Sequence, residues 1–126
     1  MKRSDVTEKI LDIKRMKGWS WKEITKKIDP KQSPVFLTAG LLGQMKLEPA
    51  QAAKAAKLFG LTKMEQKLLS EIPYRGSLPP GPPTDPLIYR FYELVQVYGT
   101  TWKELIQEEF GDGIMSAIDF NMTMER

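Results

Sequence analysis

The side chains of this sequence with the clearest potential for chemistry are Arg90 and Glu93, which lie in an aromatic segment near the C-terminus. Residues three apart share one face of a helix, so the spacing predicts a cation and a carboxylate side by side. Their neighbours are largely apolar, and a charge among such neighbours is costly to bury unless it is paired or used. From these residues alone two interpretations stay open: a functional pair, or a surface salt bridge of little energetic value.

The composition narrows the possible chemistry, because the chain has no histidine and no cysteine. Ser-His-Asp triads, Cys-His pairs, thiolate chemistry and the usual zinc sites are therefore excluded. Any catalysis must use carboxylates, Arg, Lys, Tyr, Ser or Thr, or the substrate itself. The charged N-terminal residues 1–10 lack the apolar region of a secretory signal, and no apolar run approaches the ~18 residues of a membrane span. We expect a cytoplasmic protein.

The first 75 residues predict a compact α-helical domain. Capping boxes start helices after Ser20 and Thr62, prolines start two others, and glycines end most of them. The expected helices cover about 5–17 (capped by Ser4 or Asp5), 21–28, 35–42, 49–58 and 63–70. Residues 76–83, GSLPPGPP, form a linker, since this density of Pro and Gly supports neither helix nor central strand.

Residues 84–126 predict a small C-terminal catalytic or dimerisation domain made of helix, helix and strand. The first helix runs from Pro86 to about Tyr98 and ends at Gly99, and a capping box of Thr101 and Glu104 starts the second, over 102–110. Alternation over 114–122 predicts a strand. A lone strand is unstable, so another subunit or further strands must pair with it. The predicted fold class is α+β, mainly α.

The second and third helices resemble a helix-turn-helix, in a region rich in lysine. Residues 1–75 carry 16 Lys/Arg against 8 Asp/Glu, and residues 76–126 carry 3 against 8. A DNA-binding protein would read base edges with the third helix. That helix has no Arg, Lys, Asn or Gln to do so. A structural helical domain with a solvated basic face is the favoured interpretation.

Several longer motifs point to one family. They are YRFYE at 89–93, QVYGTT at 96–101, FGDGIMSAI at 110–118, TAGLLGQ at 38–44, IPYRG at 72–76 and PTDP at 83–86. In this order they closely resemble cyanase, also called cyanate hydratase or cyanate lyase, and the resemblance spans most of the chain. Members usually continue with further strands, so we expect this chain to be short of the family's last strands.

The resemblance implies a detoxifying lyase that converts cyanate and bicarbonate to ammonia and carbon dioxide through carbamate. It implies the catalytic residues Arg90, Glu93 and Ser116, no metal or other cofactor, and bicarbonate as co-substrate. It further implies homodecamers built from five dimers, with sites where subunits meet, and no binding of nucleic acid or membrane. The alternatives are a helix-turn-helix regulator whose C-terminal domain only dimerises, and a catalytically inactive relative.

The chemistry implied by the resemblance suits these residues. Both substrates are small anions, which a fixed guanidinium such as that of Arg90 can hold together through its planar fork of donors. Ser116 can orient an anion through its hydroxyl. Glu93 would either orient Arg90 or relay a proton. Most of the catalysis would then be proximity and electrostatic stabilisation.

Overall fold

A computed structural model describes residues 1–111 and 123–126 of the 126-residue chain. The described part contains six α-helices: α1 (Arg3–Lys17), α2 (Trp21–Ile28), α3 (Pro34–Leu41), α4 (Pro49–Phe59), α5 (Lys63–Ser70) and α6 (Pro86–Phe110). The chain divides into two compact units, one of Met1–Gly76 with Met122–Arg126, the other of Ser77–Asn121. Helices α1–α5 all belong to the first unit.

The core of the first unit is built from the apolar faces of its five helices. Helix α2 packs on α3 and α4, and α5 packs on α1 and α4. Trp19 closes one end with its ring edge-on to Phe59, at a centroid distance of 5.8 Å. The buried apolar residues of this cluster are Val6, Ile10, Ile24, Ile28, Leu37, Leu41, Leu47, Ala52, Ala55, Phe59 and Leu69. Their burial is the main stabilising term for so small a unit.

Local capping sets the helix ends, and the predicted bounds of α2 and α5 are confirmed. The Ser20 hydroxyl accepts a hydrogen bond from the Glu23 backbone N–H at 3.1 Å, and the Thr62 hydroxyl accepts one from the Glu65 N–H at 3.2 Å. The first helix differs slightly from its expected start, because its N-cap is Lys2, whose backbone N–H donates to the Asp5 carboxylate at 2.7 Å.

Polar contacts of Arg3 and Lys9 join distant parts of the first unit. Arg3 donates to the Gly40 and Leu41 carbonyls at the end of α3, and its burial lowers its pKa. The Lys9 ammonium lies 2.9 Å from Oε1 of Glu65, linking α1 to α5. These contacts satisfy groups that would be costly to bury alone.

Glu65 is the buried carboxylate of the first unit, with 7% of its surface exposed. It accepts hydrogen bonds from the Thr62 backbone N–H at 2.8 Å and from Lys9 at 2.9 Å. The Thr62 bond and then the Lys9 bond hold the pKa of Glu65 below its ordinary value, because both favour the ionised carboxylate. The Glu65 side chain thus caps the start of α5 and also links α5 to α1 through Lys9.

The prediction of two C-terminal helices is wrong, because α6 is one continuous helix of 25 residues. Gly99 does not adopt a positive φ and does not end it. A glycine inside a helix costs only about 1 kcal/mol relative to alanine. Ending the helix would leave several backbone groups without partners. The ring stack of Tyr98 on Trp102, with centroids 6.2 Å apart, also spans this glycine.

The mainly helical part of the predicted fold class is confirmed, and the described residues contain no strand. The expected strand over 114–122 lies outside the described residues. Within the same described part of the chain, no helix combines the length and apolar character needed to cross a membrane.

Candidate active site

The N-terminus of α6 is defined by its cap, which sets the positions of Arg90 and Glu93 along the helix. The Asp85 carboxylate accepts hydrogen bonds from the backbone N–H groups of Leu87 and Ile88 at 2.9 and 3.0 Å. Pro86 follows at the first helical position, where its missing N–H costs nothing. The second turn of α6 therefore carries Arg90, and the next carries Glu93.

Arg90 and Glu93 form the ion pair that their spacing predicts. Nη1 of Arg90 lies 3.7 Å from Oε2 of Glu93, and the side chains are 63% and 55% exposed. At that exposure the pair is a weak stabilising element. The distance is too long for a hydrogen bond. No donor of the Arg90 guanidinium has a hydrogen-bond acceptor among the described residues, so the group can still receive an anion.

Aromatic residues surround this pair, and sequence reasoning missed their arrangement. The guanidinium carbon of Arg90 lies 5.9 Å from the centre of the Tyr89 ring. The Tyr89 ring lies 5.8 Å from that of Tyr92, whose hydroxyl accepts a hydrogen bond from Nε2 of Gln96 at 2.7 Å. Helix α6 buries no residue in the single described chain.

Ser116, the third residue of the expected catalytic set, lies outside the described residues. The structure thus brings together two of the three predicted site residues. Among the residues it describes, no group of three or more acidic side chains is placed to hold a metal ion.

Helix α6 exposes an unusual amount of apolar surface. Its exposed large apolar side chains are Leu87, Tyr89, Phe91, Leu94, Val95, Val97, Tyr98, Trp102, Leu105 and Phe110. Isolated exposed apolar residues are normal, but a contiguous set along one helix marks an interaction surface. Arg90 and Glu93 therefore lie on the same helix as these exposed apolar side chains.

The other unit offers cavities of a different character. A groove of about 820 Å³ runs along α2 and α3, with Trp21, Val35 and Leu42 in its largely apolar lining. Its lining also includes the cations Lys22 and Arg126, and it belongs to the first unit, whereas Arg90 and Glu93 belong to the second. Helix α3 (Pro34–Leu41) carries no Arg, Lys, Asn or Gln.

Comparison with known proteins first defines the class by its fold. The crystal structure of cyanase from T. urticae superposes with a TM-score of 0.77 and 36% sequence identity, over 90% of this chain and 80% of that chain. The described helices thus form a cyanase-like fold.

Comparison of sequences then gives the family. The profile described as cyanate hydratase, N-terminal, matches residues 3–73, and the profile of the cyanate lyase C-terminal domain matches residues 80–126. The cyanate hydratase of Variovorax paradoxus is 59% identical over all 126 residues, which span 84% of its length. That of Polaromonas sp. is 58% identical over the same shares. This chain belongs to the cyanate hydratase family, and the resemblance seen in its motifs is confirmed.

Proposed function

We propose that this protein is a lyase that degrades cyanate, joining it to bicarbonate to give ammonia and carbon dioxide through carbamate. The lyase class and the substrate cyanate follow from family membership, since relatives named cyanate hydratase match the whole chain at 58–59% identity. The observation that carries the finer proposal is the exposed pair of Arg90 and Glu93 on α6, 3.7 Å apart. It provides a cation whose donors have no acceptor among the described residues, and such a cation can bring two anions together.

Arg90 binds the two anions and lowers their mutual repulsion. A guanidinium stays charged at any physiological pH and presents donors in a plane that fits two oxygens at once. Holding bicarbonate against cyanate turns a reaction between two like charges in water into one between fixed neighbours. The charge that develops on the cyanate group then lies beside a cation that is already in place.

The proton balance of the reaction requires a proton donor, and we assign this role to Glu93. A bicarbonate oxygen attacks the cyanate carbon, and the resulting mixed anhydride breaks its bond to the bicarbonate carbon to release carbon dioxide. The carbamate nitrogen gains two protons, and bicarbonate itself carries only one. A second proton must therefore be delivered, and Glu93 is the acid–base side chain that lies beside Arg90. Ser116 orients the anions through its hydroxyl.

The active form is a homo-oligomer, with dimers that assemble to a decamer. The exposed apolar side chains of α6 support association, because such a surface is covered in stable assemblies. Residues 84–126 form the catalytic and dimerisation domain, residues 76–83 the linker, and residues 1–75 the helical domain, which binds no DNA. The enzyme works in the cytoplasm, without a metal or other cofactor, and removes cyanate.

An isotope experiment tests the proposed route. Cyanate labelled with ¹³C is mixed with ¹⁸O-bicarbonate and the protein. The carbamate is trapped rapidly, and its isotopic composition is determined by mass spectrometry. Attack by bicarbonate places one ¹⁸O on the ¹³C-labelled carbamate. If the protein catalyses the formation of carbamate that carries no ¹⁸O, water attacked the cyanate carbon instead of bicarbonate, and this contradicts the proposal. A mixture without protein gives the uncatalysed background.

A further inference from the structure

The Arg90 guanidinium lies near a carboxylate and near an aromatic ring, both on its own helix. Glu93 lies on one side at 3.7 Å and the ring of Tyr89 at 5.9 Å from the guanidinium carbon. A cation within about 6 Å of a ring centre is attracted by the negative face of the ring. Adjacent residues on a helix do not ordinarily face each other, so this contact reflects how the two side chains are turned.

The Tyr89 ring also contacts a second aromatic ring of α6. It packs on Tyr92 one turn away, with ring centroids 5.8 Å apart, and Gln96 donates to the Tyr92 hydroxyl at 2.7 Å. Residues three and four apart share a helix face, so Tyr89, Tyr92 and Gln96 form one row along α6. Because the Tyr89 ring packs on a neighbouring ring, it rotates less freely and restrains a nearby cation more strongly.

We propose that Tyr89 is a positioning residue for Arg90: its ring restrains the long arginine side chain so that the guanidinium is in place before the anions arrive. An exposed arginine otherwise samples many rotamers, and ordering it on binding weakens the interaction with the ligand. Glu93 restrains the guanidinium through charge, and Tyr89 restrains it through its ring face. This inference rests on the proposed function, since it assigns Tyr89 a part in that same site.

The test separates the ring from the rest of the tyrosine. Tyr89→Phe keeps the ring and should keep near wild-type activity, whereas Tyr89→Leu keeps apolar bulk and removes the ring. We expect Tyr89→Leu to lose about two- to fivefold in kcat/KM, the range that a cation–π contact at an exposed site provides. The loss should fall mainly in the KM for the anionic substrates, because the restraint acts before the chemical step.

A second series keeps the proposal testable if the leucine variant does not assemble. Tyr89 is replaced by phenylalanine carrying one, two or three ring fluorines, which leave ring size nearly unchanged and progressively weaken its negative face. We expect kcat/KM to fall stepwise with each fluorine. Equal kcat/KM across the series, in proteins of the same oligomeric size, would overturn the role of Tyr89.

The outcomes distinguish this inference from the proposed function. If the wild-type protein releases no ammonia from cyanate, or if Arg90→Ala is fully active, the proposed function fails first. If the wild type is active and Arg90→Ala is not, yet fluorination has no effect, only the positioning role fails. Side-chain ¹⁵N relaxation of Arg90 gives a readout without activity: its Nε–H should become more mobile in Tyr89→Leu and not in Tyr89→Phe. Equal mobility in both variants contradicts the proposal.

Discussion

Nη1 of Arg90 and Oε2 of Glu93 lie 3.7 Å apart on successive turns of α6, with more than half of each side chain exposed. An exposed pair at this distance contributes about 0–1 kcal/mol to stability. Its two members are therefore not required to hold the fold together. A chain without histidine or cysteine has few other groups that could perform acid–base chemistry.

Removing the Glu93 charge should therefore separate activity from stability. In Glu93→Gln we expect the free energy of unfolding to change by less than about 1 kcal/mol. We expect turnover to fall by about 10²-fold or more, because a general acid–base group typically contributes that much. Denaturant unfolding and ammonia release measure the two quantities on the same preparation. Wild-type turnover in this variant would show that Glu93 relays no proton.

Acid should weaken the first unit through Glu65. The pKa of this carboxyl lies below its ordinary value of 4.5, chiefly because of the Thr62 backbone hydrogen bond and then the Lys9 bond. Folding thus favours the ionised form, so its contribution is complete above about pH 4.5 and is lost as the pH falls through the lowered folded pKa. We expect Glu65→Gln to be about 1 kcal/mol less stable than wild type at pH 7, a margin set by a partly exposed lysine partner.

The stability difference between Glu65→Gln and wild type should shrink as the pH is lowered toward 3. Urea unfolding at several pH values measures it, and Glu8→Gln, which changes an exposed glutamate on α1, serves as the matched control. A difference that stays constant between pH 7 and pH 3 contradicts the assigned role of Glu65.

Two glycine-to-alanine changes should act in opposite directions. A Cβ at Gly99 would meet only Val95 Cγ1, at an ordinary contact distance of 3.7 Å, so Gly99→Ala should stabilise α6 by up to about 1 kcal/mol. A Cβ at Gly40 would overlap the Leu47 side chain, so Gly40→Ala should cost about 1–3 kcal/mol. Unfolding at one fixed protein concentration compares them, because association alters apparent stability. Destabilisation by Gly99→Ala would speak against a continuous α6.

The backbone at Gly76, where the first unit ends, should loosen when Gln44 is changed. Oε1 of Gln44 accepts a hydrogen bond from the Gly76 backbone N–H at 2.7 Å. Gln44→Met keeps the length of the side chain and removes the acceptor. We expect the Gly76 amide to exchange with deuterium roughly 2- to 10-fold faster, the range that one net hydrogen bond provides. Unchanged exchange at Gly76 would show that this hydrogen bond does not protect the Gly76 amide.

The features that the sequence predicted well are those set by local chemistry. The capping signals at Ser20 and Thr62 identified the first residues of α2 and α5, since the side chain and the N–H that it caps lie three positions apart. The spacing of Arg90 and Glu93 predicted their pairing for the same reason. Family motifs then supplied what spacing could not, namely the substrates and the part expected of Ser116.

The features that the sequence did not predict depend on competition or on distance along the chain. Gly99 and the Thr101 capping signal favoured a helix end, and the stack of Tyr98 on Trp102 together with helix continuity outweighed them. The contact of Arg3 with the end of α3 joins residues 37 positions apart, which no periodicity reveals. The Tyr89 ring beside Arg90 depends on side-chain rotation between adjacent residues.

The most direct test of the central claim is ammonia release from cyanate, with and without added bicarbonate, for the wild type, Arg90→Lys and Arg90→Ala. We expect bicarbonate-dependent release by the wild type and a loss of about 10²-fold or more in Arg90→Ala, as is typical when a charge-stabilising group is removed. Arg90→Lys, which keeps the charge without the planar fork, should fall between them. Release by Arg90→Ala at the wild-type rate, in protein of unchanged fold and assembly, would contradict the assignment of this site.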